Sequence, residues 1–115
     1  MRDKLSACPV ETTLLVINDR WKVLILRELL DGTKRFGELR KSIGTVSPKV
    51  LTSHLRSMEE DGLVDREIFA EVPPRVEYTL TELGDSLKPI LDAMKDWGTD
   101  YQAKVKLKLK ETNED

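Results

Sequence analysis

Residues 45–62 constrain this chain more than any other stretch. Ser47 is a side chain that caps helix N-termini, and Pro48 suits the first helical position, where its missing N–H is not needed. Gly62, after Asp61, supplies the stop. At about 100° per residue, Leu51, Leu55 and Met58 fall on one side of the helix between them. Lys49, Thr52, Ser53 and Arg56 fall within an arc of roughly 100° on the opposite side. A helix divided this way packs one face and leaves the other for water or a partner.

Its neighbours narrow the choice of fold. Phe36, Leu39 and Ile43 define a short helix closed by Gly44, just before the capped turn. Leu63 to Ala70 reads as a strand directly after Gly62. Glu71-Val72-Pro73-Pro74 is a turn that cannot continue a ladder. Val76, Tyr78 and Leu80 then alternate with Arg75, Glu77 and Thr79, the pattern of a half-buried strand. Short helix, tight turn and longer helix make a helix-turn-helix over residues 36–62. The hairpin over 63–80 adds a wing. The expected fold is mainly α with a small β-hairpin, a winged helix-turn-helix filling one domain of 115 residues.

The flanks are helical. Cys8-Pro9 opens a segment with Leu14, Leu15 and Ile17 on its apolar face, ended by Asn18-Asp19. From Arg20, Trp21, Leu24, Ile25 and Leu29 recur at helical spacing until Asp31-Gly32. Thr81 caps a last helical region, over about 81–107, with Leu83, Leu87, Ile90, Leu91, Met94, Trp97, Tyr101 and Val105 in helical register. Pro89 kinks that run or restarts it. Lys104, Lys106, Lys108 and Lys110 alternate with Val105, Leu107 and Leu109, which fits a fraying helix or an extended arm, and residues 111–115 are expected to fray.

Composition excludes several classes. Aromatics are 5%, so the core is expected to be aliphatic. No apolar run approaches the roughly 18 residues of a membrane helix. Met1-Arg2-Asp3-Lys4-Leu5 leads into no apolar stretch, so no signal peptide is expected and the location is expected to be cytoplasmic. One Cys and one His cannot make a disulfide or a zinc site, so neither metal nor cofactor is expected. No nucleophile–base spacing, carboxylate pair or phosphate-binding Gly-rich loop marks an enzyme.

Net charge is −2, which by itself argues against a polyanion ligand. The charge is unevenly spread. Residues 1–57 hold 11 Lys/Arg against 6 Asp/Glu, and residues 58–115 hold 8 against 15. A basic surface on an acidic body suits double-stranded DNA as partner. Ser47, Lys49, Thr52, Ser53 and Arg56 are the candidate groove-reading residues, since Arg and Lys suit guanine and hydroxyls suit several partners. Lys34, Arg35, Arg40 and Lys41, on the short helix and its approach, are candidate phosphate clamps. Arg75 beside the Pro-Pro tip reaches DNA or pairs with an acidic residue across the strands such as Glu67. His54, at the edge of the buried face, reads as structural. A module that docks an acidic protein through the same basic face is the competing function.

The chain resembles the HxlR-type regulators, a branch near the MarR-like proteins. The likeness is carried by Cys8-Pro9-Val10-Glu11, by Arg20-Trp21-Lys22 leading into Leu24 to Leu29, and by Phe36-Gly37-Glu38-Leu39. Ser47 to Thr52, Glu59 to Val64, Glu71 to Tyr78, Thr79 to Gly84 and Asp96-Trp97-Gly98 continue it. It spans about Cys8 to Tyr101. The resemblance implies a homodimer paired through N- and C-terminal helices that binds operator DNA, most simply as a repressor at an inverted repeat. The stripe of Leu87, Ile90, Leu91, Met94, Trp97 and Tyr101 would then meet the partner, unless it packs back on its own domain. Several members of this family sense oxidants or electrophiles through a cysteine at the place of Cys8. A thiol at a helix N-terminus gains thiolate character, but a small apolar plug or cap fits the same position. No effector is named by the sequence.

Overall fold

Capping side chains set most helix boundaries in the computed structural model, which describes residues 5–114. Helix α1, Pro9–Val16, begins with Pro9 and has Cys8 as its N-cap. Helix α2, Arg20–Leu30, starts where the Asp19 carboxylate accepts from the Trp21 N–H at 2.8 Å. Strand β1, Lys34–Arg35, leads into α3, Phe36–Ile43, whose Glu38 carboxylate accepts from the Arg35 N–H at 2.9 Å. Helix α4, Pro48–Glu60, begins where Ser47 Oγ accepts from the Val50 N–H at 3.2 Å. Gly44 and Gly62, which end α3 and α4, sit at φ 90° and 79°, a region that strongly favours glycine.

Strands β2, Val64–Phe69, and β3, Arg75–Leu80, form the expected hairpin, with Val64 opposite Leu80 and Phe69 opposite Arg75. The sheet has a third strand that the sequence reading did not contain. β1 pairs antiparallel with β3, Lys34 opposite Tyr78 and Arg35 opposite Glu77, so the order is β1-β3-β2. Lys34 and Arg35 therefore belong to the sheet's edge, not to the body of the short helix.

The core is aliphatic, as expected. Ile25 and Leu26 of α2, Leu39 of α3, and Leu51 and Met58 of α4 have no exposed surface, and Leu55 and Val64 almost none. Tyr78 is the one aromatic among the buried core residues described, and burial pushes its phenol above its ordinary pKa.

After β3 the chain restarts rather than kinks. Thr81 caps the single turn α5, Glu82–Asp85, and α6, Lys88–Glu114, follows with Pro89 at its second residue. There the ring costs no helical hydrogen bond. The Lys-rich end is helical through Glu114, so the extended arm is excluded and residues 111–114 continue the helix, while Asp115 lies outside the described residues. The restart also reassigns Leu87. It lies in the core of its own domain, and Leu91 is partly buried against that core. Ile90, Met94, Trp97 and Tyr101 stay exposed. α6 projects from the body: the radius of gyration is 17.3 Å, against about 13 Å for a compact chain of this length. No helix among the described residues is long and apolar enough to cross a membrane.

Candidate nucleic-acid interface

The turn between α3 and α4 is anchored from inside. Val46 is buried, so Ser47 and the start of α4 are held at the surface by an apolar plug beneath them. Leu51, Leu55 and Met58 then clamp the inner face of α4 to the core. The outer face comes out as the spacing requires. Lys49, Thr52, Ser53 and Arg56 line one shallow depression together with Ser57 and Glu60. Ser47 contributes its hydroxyl to capping.

The flanking cations are unneutralised. Lys34, Arg35, Arg40, Lys41, Lys49 and Arg56 make no salt bridge among the described residues. Arg40 and Lys41 are exposed on the last turn of α3, where they also complement the helix dipole. Arg35 instead lines a cleft against the wing tip, with Phe36, Pro73 and Pro74.

Arg75 differs from the expectation. Its guanidinium donates to Glu77 Oε2 at 2.6 Å and Glu71 Oε1 at 3.1 Å, and stacks 3.9 Å over the Phe69 ring. The carboxylate bonds raise its pKa further above the ordinary arginine value. Glu67 is not its partner, because Glu67 faces Glu77 across the strands. Arg75 thus relieves a like-charge pair and braces the wing: Nη1 and Nη2 donate inside the hairpin, while Nε is buried without a hydrogen-bond partner among the described residues. Replacing Arg75 with Ala is expected to speed amide hydrogen exchange at Glu67 and Glu77 while leaving Leu39 as protected as before. Equal protection of the wing in both proteins would rule out the brace.

Two contacts beneath α4 escaped the sequence reading. His54 Nε2 lies 3.5 Å from Asp19 Oδ1, the cap of α2. Lys22 is only 5% exposed and donates from Nζ to Ser57 Oγ at 3.0 Å. His54 thus has a partner on the neighbouring element, the kind of contact expected of a structural histidine. Lys22 carries no signal of its own, since a lysine beside Trp21 at the start of a helix reads as a surface residue.

Cys8 is exposed, and its thiol makes no capping bond to α1. Val10 and Leu14 of α1 are exposed as well. No group of three or more metal-binding side chains occurs among the described residues.

Comparison with known proteins agrees with this geometry. Residues 16–106 match the model of the HxlR-like helix-turn-helix family. YdeP of Bacillus subtilis, named an HTH-type transcriptional regulator, is 47% identical over 103 residues, covering 90% of this chain and 80% of its own. The structure of the redox regulator HypR in its reduced form superposes with a TM-score of 0.81 at 43% identity, over 86% of this chain and 98% of that one. The reduced form of the transcriptional regulator YodB from B. subtilis superposes with a TM-score of 0.71 at 36% identity, over 80% and 91%. With its capped α4, its three-stranded wing and its match across most of the sequence, the chain belongs to the HxlR-like helix-turn-helix family of transcriptional regulators.

Proposed function

We propose that the protein is a cytoplasmic, sequence-specific DNA-binding regulator without catalytic activity that acts as a homodimer and represses by covering a promoter. One observation carries this: Lys49, Thr52, Ser53 and Arg56 share a single open face of α4, beside cations that make no salt bridge among the described residues. Arg and Lys on such a helix reach guanine edges, while the hydroxyls and flanking cations hold base edges and phosphates. The exposed side chains of α1 and α6 supply the dimer contact. Two-fold symmetry then sets α4 of each protomer about 34 Å apart, in successive major grooves of an inverted repeat.

Titration of the purified protein onto its own promoter and onto random duplex, over a salt series, tests this. Expected is tighter binding to the promoter, with a log–log salt slope of about −0.9 per phosphate contacted. Lys49→Ala and Arg56→Ala are each expected to cost about tenfold on the promoter and less on random DNA. Failure to bind any DNA at low salt leaves the protein-docking module in its place.

The same protein is proposed to respond to thiol oxidation through Cys8. The thiol is open to solvent and sits at the end of α1, next to the apolar Val10 and Leu14 of the proposed dimer contact. The structural similarity to the redox regulator HypR supports the assignment. With one cysteine per chain, the oxidised form is a mixed disulfide with a small thiol or a bridge between two protomers. Diamide plus a small thiol is expected to change promoter affinity about tenfold, reversed by reductant, with Cys8→Ser unresponsive. An equal response in the Cys8→Ser protein would remove Cys8 from the role.

A further inference from the structure

Lys22 and Ser57 form a polar pair that core packing alone does not explain. An ammonium group has three donors and no acceptor. In the 3.0 Å contact, Ser57 Oγ therefore accepts, and its own hydrogen is directed elsewhere. On other helices of this protein, Thr13, Ser86, Thr99 and Thr112 turn their hydroxyls back to a carbonyl three or four residues earlier. Ser57 makes no such bond, and its hydroxyl hydrogen meets no acceptor among the described residues. The residue lines the same depression as Lys49, Thr52, Ser53 and Arg56.

We infer that Ser57 is a further DNA contact, donating its hydroxyl to a backbone phosphate, with Lys22 as the positioning residue behind it. The inference rests on the DNA-binding assignment above. Phosphate is favoured over a base edge for two reasons. At about 100° per residue Ser57 stands roughly 90° from the centre of the Lys49–Arg56 face, on the third turn. Side chains at the N-terminal end of a recognition helix reach bases, whereas those at its flank meet the backbone that walls the groove. The second reason is charge. The ammonium occupies the oxygen's acceptor side and leaves the hydroxyl to donate, and an anionic phosphate is a stronger acceptor than a neutral base edge.

Fluorescence anisotropy with a promoter fragment and a random duplex tests this on the full chain. Ser57→Ala is expected to weaken both DNAs by the same factor, about fivefold, and Ser57→Thr to recover most of it. The salt slope should not change, because no charge is lost. Lys22→Met should weaken binding in the wild-type background but add nothing to Ser57→Ala, whereas a purely structural lysine would weaken binding in both. Ser57→Ala binding both DNAs like wild type overturns the inference. A loss confined to the promoter also overturns it, in favour of a base contact. If the wild type binds no DNA, the regulator assignment falls first, a result no Ser57 variant can imitate.

Discussion

Trp97→Glu is expected to split the proposed homodimer into monomers at micromolar concentration and to weaken promoter binding by two orders of magnitude or more. Ile90, Met94, Trp97 and Tyr101 recur at spacings of four, three and four, so they form one seam along α6. Trp97 is 68% exposed and stacks on Tyr101 with ring centroids 5.1 Å apart. A two-fold contact uses each residue twice, so one substitution removes two aromatic anchors and buries two carboxylates near the axis. Losing each anchor costs about 1.5–3 kcal/mol before the desolvation of the new charges is added. Separated protomers lose the high effective concentration of the second half-site, worth about 10²–10⁴ in avidity. Sedimentation and promoter titration of the same samples check both parts. A Trp97→Glu protein that stays dimeric places the contact elsewhere.

Gly84→Ala is the second large effect, on stability. Gly84 is buried where α5 lies against Leu63 and Leu80 at the root of the hairpin. A Cβ there would collide with the Leu63 carbonyl oxygen and stand 3.0 Å from Leu80 Cδ2. The carbonyl has nowhere to go, because it already accepts from the Thr81 N–H at 3.0 Å. Thr81 Oγ1 donates to the Gly62 carbonyl at 2.6 Å and accepts from the Gly84 N–H at 3.0 Å, so the junction is bonded from both sides. Overpacking against backbone is expected to cost about 3 kcal/mol, a large part of a typical total of roughly 5–15. That corresponds to a fall of about 10–20 °C in Tm. Gly37→Ala is the matched control. It lies in α3 with nothing near its Cβ position, and alanine there is expected to be neutral or to stabilise by up to about 1 kcal/mol. Denaturant unfolding of both variants separates the two cases, and a Gly84→Ala protein as stable as Gly37→Ala would show that the junction yields.

Features governed by local periodicity were legible in the sequence. Leu51, Leu55 and Met58 announce the buried side of α4, and the opposite face follows by rotation. What escaped depends on neighbours distant in sequence. β1 is two residues long, too short for any alternation, and exists because β3 has a free edge beside it. Arg75 could not be assigned until the hairpin brought Phe69 and Glu77 to it. Leu87 continues the apolar spacing of α6, but the break before Lys88 turns it into the core. Lys22 is buried because α4 lies across it, which nothing in its flanking residues encodes. The Lys-Leu alternation at the end of the chain suggested two conformations, and the helix won, in keeping with the helix propensity of both residue types.

The length of α6 has a geometric consequence. Its 27 residues extend about 40 Å, and only its first turns, around Leu91, pack on the body. The helix is therefore a lever with its fulcrum at Ser86-Leu87. A tilt of 10° there displaces the far end by roughly 7 Å, about two base-pair steps of duplex. In a dimer joined along two such levers, the same tilt changes the distance between the two α4 helices. Small changes where α1 and α6 meet would then alter which half-site spacing fits, so in the proposed dimer the gap between the halves of an operator would report the state of α1 and its thiol.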